Sequence, residues 1–149
     1  MLSKKAKYAI NALTHMARHY GEGPILISDI AEQEHIPRKF LEAILLDLRK
    51  NGILASKMGK GGGYYLIKSP AEVNLADVIR IFDGAIAMVP CATYKFYQPC
   101  EECTDPEACG IRAVFKEIRD VTVQVLKERT LEQILVEEKK LQRKKPKKK

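Results

Sequence analysis

The most constraining feature of this sequence is a glycine-rich turn between two short strand-like segments, directly after two short helical segments. Residues 53–57 and 64–67 flank the run MGKGGG, and this pattern predicts a β-hairpin. Upstream, residues 28–35 and the segment from residue 37 to 50 are predicted to be helices joined by a tight connection. Helix, tight turn, helix and hairpin in that order predict a helix-turn-helix followed by a wing.

Apolar periodicity and capping residues predict the helices around this unit. Residues 4–20 carry an apolar stripe at helical spacing. Ser28 is the expected N-cap of the second helix, and Pro37 the expected first position of the third. Asn74 is predicted to cap a fourth helix that ends at Gly84. The predicted apolar stripe of the third helix is Phe40, Leu41, Ile44, Leu45 and Leu48.

A narrow apolar seam marks a long fifth helix over residues 111–129. The residues of the seam are Ile111, Val114, Ile118, Val121 and Val125. Steps of three and four residues are typical of a coiled-coil seam, so this helix is predicted to mediate dimerisation. Thr130 and Gln133 have the spacing of a capping box for a short last helix.

The predicted fold is mainly α with a small β-hairpin wing, an α+β arrangement of a winged helix-turn-helix domain plus a long dimerisation helix. Residues 1–84 are assigned to the winged helix-turn-helix domain and residues 85–110 to a cysteine-containing sensor loop. Residues 111–142 are assigned to the dimerisation helix and the short C-terminal helix, and residues 143–149 to a basic disordered tail. Most of the net charge of +7 comes from that tail, so specific binding of DNA has to be argued from other residues.

Basic and polar residues cluster where a helix-turn-helix would contact DNA. Near the N-terminus of the third helix, off its apolar stripe, charged side chains are placed to reach base edges. Arginine and lysine donate to guanine, and glutamate accepts from cytosine. Each residue alone is equally consistent with a solvated surface charge, but the combined pattern favours DNA binding. The candidate DNA-contacting residues are Ser28, Arg38, Lys39, Glu42, Arg49, Lys57, Lys60, Gly61 and Gly62.

All four cysteines lie in the loop, with the spacing Cys91-x8-Cys100-x2-Cys103-x5-Cys109. Thiolates are the ligands of iron–sulfur clusters and of zinc. Cys109 directly precedes the fifth helix, whose N-terminal dipole favours a thiolate. Three interpretations stay open: a 2Fe-2S or 4Fe-4S cluster, a structural zinc site, and a metal-free switch in which Cys100 and Cys103 form a reversible disulfide.

Residues 40–70 contain the elements LRKNG and GKGGGY, and the segments SKKAKYAINALTHMA and VNLADVIRIFDG lie before and after them. Together these elements resemble the signature of the IscR/NsrR/CymR family of bacterial winged-helix transcriptional regulators. The resemblance covers residues 1 to about 130. It implies a homodimer that binds a partly palindromic double-stranded operator with recognition helices in successive major grooves and wings in the minor groove. We expect the protein to act as a repressor.

The resemblance also implies a ligand set. Cluster-binding members have three cysteines in this loop and a further ligand from elsewhere, and Cys91, Cys103 and Cys109 match those three. A histidine that some members place three residues after the last cysteine is Arg112 here. Cys100 is extra and is the candidate fourth ligand. Other members sense cysteine metabolism through a partner enzyme and hold no cluster, so such a partner stays open.

The sequence favours a regulator over an enzyme. A thiol oxidoreductase using Cys100-Glu101-Glu102-Cys103 would carry that motif after a strand, whereas here it follows Pro99 in a loop. The two acidic residues would also oppose thiolate formation. No stretch of 18 apolar residues occurs, which argues against a membrane span, and the first residues do not resemble a signal peptide. We therefore expect a cytoplasmic DNA-binding protein without membrane partners.

Overall fold

The structure is a computed structural model that describes residues 2–144. The helices are α1 (Lys4–Arg18), α2 (Ile27–Gln33), α3 (Arg38–Lys50), α4 (Leu75–Asp83), α5 (Gly110–Glu128) and α6 (Leu131–Lys144), and a 3-10 turn spans Pro90–Ala92. The strands are β1 (Leu54–Lys57) and β2 (Gly63–Leu66), which pair as an antiparallel hairpin. This arrangement confirms the predicted mainly α fold with a helix-turn-helix and a hairpin wing.

One apolar core joins α1, α2, α3, α4, the hairpin and the start of α6. The largest fully buried side chains are Leu13, Met16, Ile30, Leu41, Ile44, Leu45, Leu48, Leu54, Val78 and Leu131. The predicted stripe of α3 is thus buried except for Phe40, which is half exposed and meets the Tyr8 ring edge-on at the flank of α1. The core fixes α3 with its other face directed outward.

The start of α2 differs from the prediction. The helix begins at Ile27, and the Leu26 carbonyl accepts from the amides of Asp29 and Ile30. Ser28 therefore lies inside the first turn and is not the N-cap; its Oγ donates to the Asp29 carboxylate at 3.3 Å. The backbone before α2 is instead held by Ile25, which exchanges two hydrogen bonds with Tyr64 of β2, at 2.8 and 2.9 Å.

The predicted ends of α4 are confirmed. The Asn74 side chain accepts from the Asp77 amide at 3.0 Å, and Gly84 ends the helix with a φ of 75°, a conformation that favours glycine. The predicted capping box is present too, because Thr130 Oγ1 accepts from the Gln133 amide at 3.4 Å and the Gln133 side chain accepts from the Thr130 amide at 3.3 Å.

The position of α6 differs from the grouping made from the sequence, which placed it with the dimerisation helix. Leu131 is fully buried in the core, and the Arg18 guanidinium of α1 is paired with Glu138 at 2.9 Å. α6 therefore packs on α1 as part of the helix-turn-helix body. It is also longer than predicted.

The predicted tail begins inside α6, since Arg143 and Lys144 belong to that helix. Residues 145–149, the rest of that predicted tail, lie outside the described residues. Across residues 2–144, every helix is too short or too polar to cross a membrane.

Candidate DNA-binding face and cysteine site

The outward face of α3 carries the charged residues predicted to read bases. Arg38, Lys39 and Glu42 are all exposed on its first two turns. The Arg38 Nε lies 3.1 Å from Glu42 Oε1, so these two side chains are paired across one helical turn. The pair holds the guanidinium along the helix surface in the free protein.

Arg49 connects the far end of α3 to the wing. Its Nη1 donates to Ser56 Oγ of β1 at 2.9 Å, so it orients the hairpin against the recognition helix as well as exposing positive charge. Lys57 and Lys60 are exposed at the tip of the wing, and Ser28 is exposed in the first turn of α2. The structure thus gives every predicted charged DNA-contacting residue an exposed position.

The wing glycines serve the hairpin itself. Gly61 is exposed and has a φ of 72°. Gly62 is buried, and a Cβ at this position would come closer than 3.0 Å to the carbonyl oxygens of Lys57 and Gly59. The turn itself therefore explains why residue 62 is glycine. That Gly62 also contacts DNA stays a prediction.

The cysteines lie in two neighbouring pairs. Cys91 is buried in the 3-10 turn, and its Sγ is 3.9 Å from the Sγ of Cys100, which is exposed. Cys103 lies near Cys109, whose sulfur raises the pKa of the Cys103 thiol. Cys109 is the N-cap of α5, and its Sγ accepts from the Arg112 amide at 3.4 Å. The loop therefore gathers all four predicted ligands at the start of α5.

The electrostatics of the pairs reflect this crowding. The pKa of the Cys100 thiol is raised because it donates a hydrogen bond to Cys91 and because a neighbouring Cys91 thiolate would repel its charge. Partial burial and then the Cys109 sulfur raise the pKa of Cys103. In the metal-free protein the loop thus favours protonated thiols at these two positions.

The donor set fits a thiolate-ligated metal group, because iron–sulfur clusters and zinc both take four cysteines. Within residues 2–144, however, no three His, Cys, Asp or Glu side chains are grouped closely enough to hold a metal ion. The sulfurs stand as two pairs rather than one closed ring of ligands, and binding would have to draw the pairs together.

Two arginines of α5, which the sequence did not single out as functional, hold this loop. Arg112 donates to the Cys91 carbonyl oxygen at 3.0 Å, and Arg119 donates to the Ala92 carbonyl oxygen. Only their spacing of seven residues on α5 could have hinted at a shared role, since it places them on one helix face. Two tyrosines of the loop contact these arginines: Tyr94 stacks on Arg119 and Tyr97 lies over Arg112.

A helix-turn-helix with an exposed basic recognition face and an adjoining hairpin defines the class of winged-helix DNA-binding proteins. The chain belongs to the Rrf2 family: the family model described as "Iron-dependent Transcriptional regulator" matches residues 2–137. This confirms the resemblance seen in residues 40–70, and the chain is a DNA-binding transcriptional regulator.

Individual relatives of the chain are also transcriptional regulators. The chain is 42% identical over 138 residues to an rrf2-like HTH-type transcriptional regulator of Rhodobacter capsulatus, covering 91% of this chain and 92% of the relative. It is 33% identical over 134 residues to the HTH-type transcriptional regulator IscR of Photorhabdus laumondii, covering 90% of this chain and 78% of that protein. These relatives are named as transcriptional regulators, not as enzymes.

Solved structures show the same fold. CymR, the global cysteine regulator of B. subtilis, superposes with a TM-score of 0.74 at 29% identity, covering 90% of this chain and 95% of that chain. IscR of T. potens superposes with a TM-score of 0.76 at 26% identity, covering 95% of this chain and 90% of that chain.

Proposed function

We propose that this regulator binds a partly palindromic operator as a homodimer and senses redox state or iron–sulfur status through a cluster held by Cys91, Cys100, Cys103 and Cys109. The observation that carries the proposal is the position of those cysteines. They lie in two neighbouring pairs within the one loop that joins the DNA-binding body to α5. The description of the family as iron-dependent supports iron as the metal.

The exposed surface of α5 supports a homodimer. Its predicted seam residues are 41–69% exposed, and within this helix the single buried residue is Arg119. An unpartnered row of five apolar side chains favours association with a second copy through the same row. Two recognition helices related by a twofold axis would then meet half-sites about 34–36 Å apart, or at multiples of that distance.

A conformational change in the cysteine loop can be transmitted to the recognition helices through α5 and α4. Cys109 is the N-cap of α5, and the carbonyl oxygen of its C-cap, Arg129, accepts from the Leu75 amide of α4 at 2.9 Å. When bound, an iron–sulfur cluster supplies a crosslink among thiolates whose integrity depends on redox conditions. Such a crosslink would fix the loop and with it the angle between α5 and the DNA-binding body. It would alter affinity only by stabilising one dimer arrangement over another.

A metal-free thiol switch is the second candidate, and the distance between Cys91 and Cys100 favours it. The sequence suggested a disulfide between Cys100 and Cys103, but the structure places Cys100 beside Cys91, with 3.9 Å between the sulfurs. A hydroperoxide would take two electrons and two protons from these thiols, leaving one disulfide and the reduced products water and an alcohol or a second water. Structural zinc and sensing through a partner enzyme are the remaining alternatives.

The experiment selects bound fragments from random double-stranded DNA with the full chain under anaerobic conditions. We expect an inverted repeat, and at least about a tenfold difference in operator affinity between iron-loaded and metal-free protein, within the usual range of allosteric coupling. Recovery of DNA without sequence preference would contradict operator binding. Equal affinity of the two forms would contradict cluster sensing, and a difference that follows thiol oxidation alone would assign the thiol switch.

A further inference from the structure

Arg119 is a charged side chain and the one buried residue of α5. It is only 5% exposed. Its guanidinium donates to the Ala92 carbonyl oxygen, is paired with Asp120 at 2.7 Å, and lies 3.6 Å from the centre of the Tyr94 ring. The Tyr94 hydroxyl donates to the same Asp120 carboxylate at 2.6 Å, a contact that lowers the pKa of Asp120 and keeps it charged. Because a buried charge is costly to leave without partners, the Arg119 guanidinium holds the Ala92 carbonyl group and the Tyr94 side chain in place.

Arg112 makes the corresponding contacts two turns earlier. Its Nε donates to the Cys91 carbonyl oxygen at 3.0 Å, and its Nη1 donates to the Pro106 carbonyl oxygen at 3.1 Å and pairs with Glu107 at 3.0 Å. Arg112 therefore connects the Cys91 turn with the Pro106–Glu107 segment near the end of the cysteine loop.

We infer that Arg112 and Arg119 are positioning residues that hold the Cys91 turn against α5, which makes Cys91 the fixed point of the sensor loop. Residues seven apart lie on one face of a helix, and these two bind consecutive carbonyl groups, those of Cys91 and Ala92. Cys100, in contrast, is exposed. Ligation or oxidation would then move the Cys100 side of the loop toward an anchored Cys91. The consequence for sensing rests on the proposed function, whereas the anchoring itself does not.

Amide hydrogen exchange of the full, metal-free, reduced chain tests the anchoring. The relevant amides are those of Ala92 and Thr93, which donate to Val89 and Pro90 within the turn. In Arg112→Gln and Arg119→Leu we expect at least about tenfold faster exchange at these amides, since hydrogen bonds to charged groups are lost. Arg119→Lys, which keeps the charge, is expected to restore part of the protection.

Lys127→Leu is the matched control, because it removes one positive charge from an exposed position on the same helix. Its exchange at Ala92 and Thr93 is expected to equal that of wild type. Exchange at the amides of α3 reports global unfolding. If Arg119→Leu speeds exchange at those amides too, the test of the anchoring rests on Arg112→Gln alone. Unchanged exchange at both turn amides in Arg112→Gln would overturn the inference.

A second measurement separates this inference from the proposed function. Iron-loaded wild type, Arg112→Gln and Lys127→Leu are mixed anaerobically with a ferrous chelator, and the visible absorption is followed. We expect Arg112→Gln to lose iron at least about tenfold faster than the other two. Equal rates, despite faster amide exchange, would show that anchoring does not serve the metal site. If wild type takes up no iron, the cluster proposal fails, while the exchange rates still decide whether the arginines fix Cys91.

Discussion

Arg38 and Glu42, both predicted to read bases, are paired with each other on the exposed face of α3, with 3.1 Å between Arg38 Nε and Glu42 Oε1. An exposed pair of this kind contributes little to stability. Its consequence is for recognition, since each side chain competes with DNA for the other. Base readout by either residue therefore depends on both.

Replacing Arg38 by alanine is expected to cost about 1–3 kcal/mol of operator binding and to relax sequence preference, because a guanine contact is lost. Glu42→Ala is the companion variant: it releases Arg38 and removes a negative charge, so affinity for random DNA should rise while discrimination falls. Titrations of operator and scrambled duplexes measure both. If Arg38→Ala weakens the two duplexes equally, the residue contacts phosphate instead.

Lys60→Ala tests the wing. Lys60 is exposed at the hairpin tip, and a phosphate contact there would be lost for every sequence. Binding should weaken uniformly, and the slope of log affinity against log salt should flatten by about one counterion. The measurement is a titration at several salt concentrations. An unchanged slope would place Lys60 away from the DNA.

Ile118→Asp tests the dimer. Ile118 lies in the exposed apolar row of α5, and a carboxylate buried there against a second copy would be strongly unfavourable. Sedimentation at micromolar concentration should show a dimer for wild type and a monomer for the variant. Lys127→Asp, which places a carboxylate on an exposed position outside the row, should remain dimeric. A monomeric wild type would rule out this interface.

The packing of α6 predicts a stability difference within one helix. Leu131 is fully buried, whereas Leu141 is 55% exposed. Leu131→Ala should lower the free energy of unfolding by about 2–5 kcal/mol because it leaves a cavity in the core. Leu141→Ala should change it by no more than about 0.5 kcal/mol. Urea denaturation of both variants checks this, and equal effects would mean that α6 does not belong to the core.

Features set by local sequence were predictable. The MGKGGG turn predicts the hairpin, and Asn74 and Gly84 mark both ends of α4, because turn and cap preferences act over a few residues. The same preferences failed at Ser28, because the hydrogen bonds between Ile25 and Tyr64 position the backbone so that the N-cap of α2 is Leu26, two residues earlier. That contact joins residues far apart in sequence.

Long-range packing explains what the sequence did not indicate. Nothing local distinguishes Leu131, a core residue, from the other apolar residues of an amphipathic helix. Arg112 and Arg119 have the appearance of ordinary surface charges until the loop folds back onto α5. The nearness of Cys100 to Cys91 has the same origin. The CxxC spacing suggested Cys103 as the partner of Cys100, but the path of the loop brings Cys100 next to Cys91.

Anaerobic purification of wild type and Cys100→Ser tests most directly whether the four cysteines hold the proposed iron–sulfur cluster. Visible absorption, iron and acid-labile sulfide are measured in both proteins. We expect wild type to show broad visible absorption with iron and sulfide in comparable amounts, and Cys100→Ser to lose most of all three, since it lacks the fourth thiolate. A wild-type protein that contains neither iron nor sulfide, or that contains zinc instead, would contradict the proposed iron–sulfur cluster.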